Sequence, residues 1–265
     1  MPPFSNDLAL VTGASAGIGA AIAQALAQQG ARVALLARSA DALDNVAATI
    51  RAAGGTALAV PVDLADADAA ERAHAHVVGT LGHPTILINS AGAGRWLFTE
   101  ETTPTEARQM MDAPYFAAFY ITRLCLPEML KQRRGRIVII NSPVAAIGWP
   151  GATGYLAARH ALYGFTKALW YDLAGTGVRA LSVMPGETTS EYFTRNAEAR
   201  ERIPGIARFI PRVTPAQVAA ATLRGLTTNA REVTLPFMLR AFRACNTVAP
   251  RLVEYFTVRT GWRHQ

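Results

Sequence analysis

The sequence has few charged residues and few cysteines, and these two deficits exclude several classes of protein. Of its 265 residues, 17% are charged and 51% are apolar, a balance that is too apolar for a disordered chain. The two cysteines, Cys125 and Cys245, lie far apart and belong to no CxxC or Cys/His cluster, so we expect neither a disulfide framework nor a metal site. We therefore expect a reduced, cytoplasmic protein with a sizeable core.

The sequence predicts neither a signal peptide nor a segment that spans a membrane. Residues 1–7 contain neither a basic n-region nor an apolar h-region, so no signal peptide is predicted. Every long apolar stretch is interrupted by a charge, a glycine or a proline before it could span a bilayer.

Positive charge is concentrated in the last part of the chain. Residues 1–192 hold 14 Lys/Arg and 15 Asp/Glu, whereas residues 193–265 hold 12 Arg and 4 Glu. Such asymmetry is found in proteins that bind nucleic acid or anionic membranes. A solvated basic face that attracts anionic ligands is the simpler interpretation, and we expect no nucleic-acid partner.

Apolar runs alternate with segments of helical periodicity along the chain. The runs bounded by turn residues, which we predict to be strands, are residues 7–12, 33–37, 57–62, 86–89, 136–140 and 179–183. Strands that alternate with helices indicate an α/β fold, a doubly wound parallel sheet with helices on both faces. We predict a single domain over residues 1–265, with a mobile substrate lid at 187–212 and a basic helical extension at 213–265.

A glycine-rich turn connects the first predicted strand to the first predicted helix. Residues 12–19 read Thr-Gly-Ala-Ser-Ala-Gly-Ile-Gly, a GxxxGxG spacing instead of the GxGxxG of the common dinucleotide fingerprint. Glycines allow the backbone to approach a pyrophosphate closely, and the helix N-terminus favours its negative charge. The residues predicted to contact the phosphates are Gly13, Ser15, Gly17, Ile18 and Gly19.

Further motifs follow in an order that resembles the short-chain dehydrogenase/reductase family over about residues 7–192. After the glycine-rich turn come Asn89-Ser90-Ala91-Gly92, Ser142, Tyr155 and Pro185-Gly186. The resemblance implies a single Rossmann-type domain that transfers a hydride with NAD(H) or NADP(H). It also implies that Asn89, Gly92, Pro185, Gly186 and Thr188 contact the cofactor, Thr188 at the nicotinamide carboxamide.

The end of the second predicted strand indicates which nucleotide is used. An NAD enzyme needs an acidic residue there for the ribose hydroxyls, whereas a 2′-phosphate needs a cation. The strand ends Ala37-Arg38-Ser39, and Arg38 stands where relatives that use NADP place theirs. Asp63 matches the family position that holds the adenine amino group. The predicted cofactor is therefore NADP(H).

Ser142 and Tyr155 have the thirteen-residue spacing of the family's catalytic serine and tyrosine. By resemblance, Tyr155 is the general acid or base and Ser142 hydrogen-bonds the substrate oxygen. Both Tyr155 and the residue four positions later also contact the cofactor, but that residue is Arg159 where the family has lysine. A second Tyr-x-x-x-Lys match, Tyr163 with Lys167, lies in the wrong register from Ser142, and we predict that it is not used.

Two departures from the family pattern are compatible with either an active enzyme or a protein that has lost catalysis. Arg159 retains a cation, but a guanidinium is bulkier and planar and cannot pass on a proton as an ammonium can. Pro114 stands at about the position of the family's asparagine, which anchors a water of the proton relay at a local distortion of the helix. Proline either keeps this distortion or loses the relay. A milder change, Ser90, replaces the second asparagine of the usual Asn-Asn-Ala-Gly.

The favoured interpretation is an NADPH-dependent oxidoreductase acting on a small apolar ketone, aldehyde or alcohol. Aromatic residues near the predicted pocket motivate the substrate class, although core packing explains them equally well; they are Trp96, Phe98, Trp149, Tyr192 and Phe193. The alternative is a catalytically degenerate protein that binds NADP as a sensor or scaffold. We expect a homodimer or homotetramer.

The C-terminal tail shows apolar residues at helical spacing, with arginines on another face. The apolar positions are Leu235, Met238, Leu239, Phe242, Cys245 and Ala249. Packing of this face against the rest of the protein or a second subunit is the preferred interpretation. Weak peripheral contact with an anionic membrane is the alternative.

Overall fold

Seven parallel β-strands form one sheet in this computed structural model, which describes residues 2–92, 94–189, 199 and 201–262. The strands are β1 (Leu8–Thr12), β2 (Arg32–Ala37), β3 (Ala57–Pro61), β4 (Ile86–Asn89), β5 (Gly135–Ile140), β6 (Val178–Pro185) and β7 (Glu232–Leu235). Their spatial order is β3-β2-β1-β4-β5-β6-β7. Strands β2 and β3 thus lie on one side of β1, and the strands from β4 onward lie on the other side. This confirms the predicted doubly wound parallel sheet of the Rossmann type.

Helices cover both faces of the sheet. They are α1 (Gly17–Gln28), α2 (Ala40–Ala52), α3 (Ala67–Leu81), α4 (Pro104–Met111), α5 (Ala117–Lys131), α6 (Thr153–Asp172), α7 (Pro215–Thr228), α8 (Phe237–Val248) and α9 (Pro250–Thr260). Helices α1, α2 and α7 contribute to the core on one face, and α3, α5 and α6 contribute to the core on the other. In the part of the chain that the structure describes, no helix is long and apolar enough to cross a bilayer.

Strand β1 explains why the predicted strands are apolar runs without alternation. Its side chains at Leu8 and Leu10 enter the core on one face, and those at Ala9 and Val11 enter the core on the other. All four are at most 1% exposed. Since both faces of a parallel sheet are covered, neither face of the strand needs polar residues.

Strand β7 and the start of the tail correct the sequence prediction. The tail helix was predicted to include Leu235, but this residue ends β7, which pairs with the end of β6. Helix α8 begins only at Phe237, after Pro236. The four-residue segment of β7, which includes Glu232 and Thr234, is too short and too polar to be recognised as a strand from sequence alone. It becomes recognisable only by its pairing with the neighbouring strand.

Candidate active site

A cavity of about 1000 Å³ lies at the carboxyl ends of the strands. Because parallel strands end at the same edge of the sheet, residues far apart in sequence meet there. The residues that follow β1 to β6 and line this cavity include Gly13, Arg38, Asp63, Ser90, Ser142 and Gly186. The motif residues predicted from six separate segments are thus brought to one place by the topology.

The backbone of the glycine-rich turn packs closely against the loop after β4. Gly13 has a φ of +64°, and a Cβ at this position would lie 2.8 Å from the carbonyl oxygen of Ser90. Thr12 Oγ1 accepts hydrogen bonds from the N–H groups of Ser90 and Ala91, both at 3.0 Å, and so joins the turn to the loop after β4. The residues present therefore form a close backbone cradle at the N-terminus of α1.

The other residues of this turn divide into lining and packing positions. Ser15, Gly17 and Ile18 line the cavity together with Gly13. Gly19 is not among the lining residues, and a Cβ there would overlap the Gly13 carbonyl oxygen. Gly19 thus lets the first turn of α1 approach the backbone of the loop.

Arg38 and Asp63 line the cavity beside the ends of β2 and β3. Arg38 is exposed, and it is followed by Ser39, whose Oγ accepts a hydrogen bond from Ala42 N–H and caps α2. Asp63 accepts a hydrogen bond from the N–H of Ala65 at 3.1 Å. A cation is therefore available where a nucleotide ribose would lie if its phosphates were held by the glycine-rich turn.

Asn89 and Gly92 occupy different environments, although both were predicted to contact the cofactor. Asn89 is buried and does not line the cavity; its Nδ2 donates a hydrogen bond to Thr122 Oγ1 at 3.1 Å. Gly92 does line the cavity, and a Cβ there would lie 2.7 Å from Nη2 of Arg159. Asn89 thus connects β4 to α5, while Gly92 leaves space for the guanidinium.

Tyr155 and Ser142 both line the same cavity, from α6 and from the loop after β5. The Tyr155 side chain packs against Trp96, with ring centroids 5.6 Å apart, and is 6% exposed. Ser142 Oγ accepts a hydrogen bond from Val144 N–H at 3.4 Å, which leaves its own O–H available to donate into the cavity.

Arg159 lies one helical turn after Tyr155, and its guanidinium is held against the Tyr155 ring. The Cζ atom is 5.0 Å from the ring centroid. Nη1 donates a hydrogen bond to the carbonyl oxygen of Ile140 at 3.2 Å, while the buried Nε has no partner among the described residues. Only 7% of the residue is exposed, so a fixed positive charge is buried beside the tyrosine.

The second Tyr-x-x-x-Lys pair does not line the cavity. Tyr163 donates its hydroxyl to Glu232 Oε2 at 3.3 Å, and Lys167 Nζ lies 5.2 Å from the Tyr163 ring centroid. Burial, and then the carboxylate of Glu232, raise the pKa of Tyr163. A phenol whose ionised form is disfavoured in this way is a poor general base.

Pro114 lies within a π-helical turn, Asp112–Phe116, between α4 and α5. The helix is therefore distorted at this point, with a proline at about the position where the family has asparagine. Asp112 and Ala113 line the cavity, whereas Pro114 is buried and does not. The distortion is thus present with proline at this position, which fits both alternatives for the relay.

Residues 185–189 carry Thr188 to the cavity edge after β6. Thr188 is buried and lines the cavity with Pro185 and Gly186, and its Oγ1 donates to the Gly186 carbonyl oxygen at 3.2 Å. An isolated bridge pairs Thr188 with Val213, the residue that follows the segment predicted to be a lid. From that segment, the described residues that line the cavity are Glu187, Thr188, Ile203, Pro204, Ile206, Ala207 and Ile210.

The aromatic residues predicted near the pocket divide into three groups. Trp96 and Trp149 line the cavity, with ring centroids 5.4 Å apart. Phe98 does not line it, and its ring instead faces the Arg202 guanidinium, 5.5 Å from the centroid. Tyr192 and Phe193 lie outside the described residues.

The C-terminal helices supply a part of the wall that sequence reasoning did not identify. Leu239 and Phe242 from α8 and Thr257 from α9 line the cavity. The periodicity of Leu239 and Phe242 was visible in the sequence, but it could not indicate against which surface they pack. Leu239 and Phe242 thus add apolar side chains to the wall of the cavity.

Comparison with known proteins identifies relatives over most of the chain. A family profile described as short chain dehydrogenase matches residues 7–201. A protein from Synechocystis sp. named 3-oxoacyl-[acyl-carrier-protein] reductase is 35% identical over 232 residues, which are 86% of this chain and 92% of the relative.

Solved structures agree with the fold. A short-chain dehydrogenase from Streptomyces avermitilis superposes with a TM-score of 0.81 at 28% identity, over 93% of this chain and 94% of that one. A metagenomic short-chain oxidoreductase in complex with NADP superposes with a TM-score of 0.73 at 29% identity, over 88% of this chain and 97% of that one.

Proposed function

The chain belongs to the short-chain dehydrogenase family, and from this premise we propose that it is an NADP(H)-dependent oxidoreductase that interconverts an apolar ketone or aldehyde with its alcohol. The observation that carries the proposal is that Ser142, Tyr155 and Arg159 line the same cavity as the glycine-rich turn and Arg38. The proposed assembly is a homodimer or homotetramer, which light scattering would test.

The cofactor would be held along the sheet edge by groups that fit its parts. The turn that contains Gly13 and Gly17 would hold the diphosphate, Arg38 the 2′-phosphate and Asp63 the adenine, with Thr188 near the nicotinamide. When bound, NADPH supplies a hydride to a carbonyl carbon. The structure of a relative in complex with NADP supports this choice of nucleotide.

The side chains in the cavity would manage the proton of the reaction. Tyr155 would donate its hydroxyl proton to the substrate oxygen during reduction and accept it back during oxidation. Ser142 would donate a hydrogen bond to the same oxygen and so polarise the carbonyl. The Arg159 guanidinium, 5.0 Å from the Tyr155 ring centroid, would stabilise the phenolate that remains.

The apolar wall supports an apolar substrate. Trp96, Trp149, Ile206, Leu239 and Phe242 line the same cavity as Tyr155, and Trp96 packs against its ring. Binding an apolar substrate against these side chains removes apolar surface from water, which contributes about 25 cal/mol of binding free energy per Å² buried. They also keep water away from the reacting atoms.

A non-catalytic NADP-binding protein is the second candidate function. The observation that favours it is that Nη1 of Arg159 already donates to the Ile140 carbonyl oxygen, while Pro114 has no N–H and no side-chain polar group. Such a protein would bind the nucleotide through the glycine-rich turn and Arg38 but would turn over slowly or not at all.

One experiment separates the two candidates. NADPH binding, followed by its fluorescence, is expected in both, whereas consumption of NADPH with a panel of apolar ketones and aldehydes is expected only of the enzyme. Tyr155→Phe should lower turnover by at least about a hundredfold with nucleotide affinity nearly unchanged. Tyr163→Phe is the matched control and should change turnover little. Binding without turnover on the whole panel would favour the non-catalytic candidate, and loss of turnover in Tyr163→Phe alone would refute the assignment of Tyr155.

A further inference from the structure

Helices α8 and α9 expose apolar side chains to solvent although their inner sides are buried. Leu239, Val253 and Thr257 are at most 5% exposed, and Leu239 and Thr257 line the cavity. The outward side chains, which we call the outer apolar surface, are Phe237, Met238, Val248, Leu252, Tyr255, Phe256 and Val258, together with Phe209 of the neighbouring helical turn Gly205–Phe209. Phe237 is 76% and Val248 87% exposed.

One difference from the sequence prediction underlies this surface. The tail was expected to have one apolar face, and packing of that face was preferred. In the structure Leu239 and Phe242 line the cavity, whereas Met238 and Cys245 of the same predicted face are exposed. Helix α8 is therefore apolar on two sides, and the described residues cover only one of them.

The parts of the outer apolar surface belong to adjoining elements. Helix α8 packs against α9. The N–H of Ile206 donates to Thr260 Oγ1 at 3.2 Å, which connects the turn Gly205–Phe209 to the end of α9. Single exposed apolar residues are common on protein surfaces, but a group on adjoining elements is typical of a surface that contacts a partner.

Arginines lie among these apolar side chains. Exposed Arg208, Arg240, Arg251 and Arg259 belong to the same three elements, and residues 237–262 contain one acidic residue, Glu254. The Cζ of Arg208 is 4.9 Å from the Phe209 ring centroid, and that of Arg259 is 5.9 Å from the Tyr255 ring centroid. Aromatic and aliphatic side chains mixed with arginines are the composition of helices that lie in the interface of an anionic bilayer.

We propose that the outer apolar surface docks peripherally on an anionic lipid bilayer, with the apolar side chains in the interface and the arginines at the headgroups. A second copy of this chain fits the surface less well. In a two-fold contact the same patch meets itself, so its arginines would oppose one another with few carboxylates to pair with. Since the inner sides of α8 and α9 line the cavity, docking would place the cavity wall against the membrane.

Co-sedimentation with vesicles tests the proposal on the full chain. Vesicles of phosphatidylcholine with about a third phosphatidylserine should pellet the protein at low salt, and pure phosphatidylcholine vesicles should not. Binding should weaken strongly between about 50 mM and 500 mM salt, because the Debye length falls well below 10 Å. Arg240→Gln and Arg251→Gln should each weaken binding about fivefold.

Matched variants distinguish the outer apolar surface from apolar or basic residues in general. Phe237→Ser with Leu252→Ser should reduce binding at least about tenfold. Tyr171→Ser on α6, which removes a side chain that is 75% exposed, and Arg72→Gln on α3 should not. Thermal unfolding of each variant verifies that it is folded, and the Arg→Gln variants test the same surface without changing its apolar side chains.

Three results would overturn the proposal. The first is no binding of the full chain to anionic vesicles at low salt, and the second is an equal loss in the Tyr171→Ser or Arg72→Gln control. The third is a Phe237→Ser, Leu252→Ser protein that retains vesicle binding but changes its mass in light scattering. That result would identify the surface as a contact between subunits.

Discussion

Replacing Arg159 by methionine removes the buried charge beside Tyr155 while keeping a side chain of similar reach. If the guanidinium stabilises the Tyr155 phenolate, the loss can be worked from the 5.0 Å between Cζ and the ring centroid. The phenolate charge lies on the oxygen, outside the ring centroid, so the two charges are about 5 to 8 Å apart and interact by about 2–3 kcal/mol at an effective dielectric constant of about 20. Turnover in Arg159→Met should therefore fall by on the order of a hundredfold.

The stability of the same variant should change little. Methionine loses the hydrogen bond that Nη1 donates to the Ile140 carbonyl oxygen, a cost of about 1 kcal/mol. It also removes a buried cation whose Nε has no partner in the described part of the chain, and removal of such a group is stabilising or neutral. The free energy of unfolding should thus stay within about 1 kcal/mol of that of the unaltered protein.

Steady-state turnover and denaturant unfolding measure the two effects separately. Lys167→Met is the control, since its Nζ lies at a similar 5.2 Å from the Tyr163 ring on the same helix but outside the cavity. Full turnover in Arg159→Met, or an equal loss in Lys167→Met, would refute the proposed role of the Arg159 guanidinium. Arg159→Lys keeps the cation, and we expect a gain of no more than about threefold, because Pro114 is left unchanged.

Further predictions concern the nucleotide, the substrate wall and the pH dependence of stability. Arg38→Ala should remove an NADPH preference over NADH of at least about tenfold, measured by titration of both nucleotides; equal affinities in the unaltered protein would contradict the role of Arg38. Phe242→Ala should raise KM for a bulky apolar ketone about tenfold while KM for a small one is nearly constant. Burial, and then His83, lower the pKa of His74, so the unfolded chain binds the proton more readily. The free energy of unfolding should therefore fall as the pH drops below about 6.5, with a smaller fall in His74→Asn; equal slopes would exclude His74 as the cause.

The sheet was predictable because its signals are local. Apolar runs such as residues 86–89 end in turn residues and alternate with helical segments, and this pattern alone indicates a parallel sheet. Strand β7 was missed since its four residues depend on pairing with β6, which lies almost 50 residues earlier.

The order of the catalytic motifs was likewise a property of the sequence. The thirteen-residue spacing from Ser142 favoured Tyr155 over Tyr163 as the catalytic tyrosine. In the structure Tyr155 lines the cavity, whereas Tyr163 donates a hydrogen bond to Glu232. Parallel strands bring such motifs together without further information, because each motif directly follows a strand.

The orientation of individual side chains was decided by the tertiary structure. Asn89 stands where the motif places it, but its amide donates a hydrogen bond to Thr122. Thr122 belongs to α5, a helix that packs against β4 from one face of the sheet. Arg159 points beside the Tyr155 ring because Gly92 leaves space for it and the Ile140 carbonyl accepts from it. A motif specifies which residue is present, whereas the partner of a polar side chain depends on the elements that pack around it.

The sequence by itself determined the parallel sheet, the glycine-rich turn and the positions that could carry the chemistry, since each depends on spacing within a short segment. Only the tertiary structure decided what closes the cavity and what remains exposed on α8 and α9. Asn246 on α8 donates to the Ala146 carbonyl oxygen at 2.9 Å across 100 residues of sequence. Helical periodicity shows that α8 has apolar sides, but which side meets the cavity and which meets solvent follows from such long-range contacts.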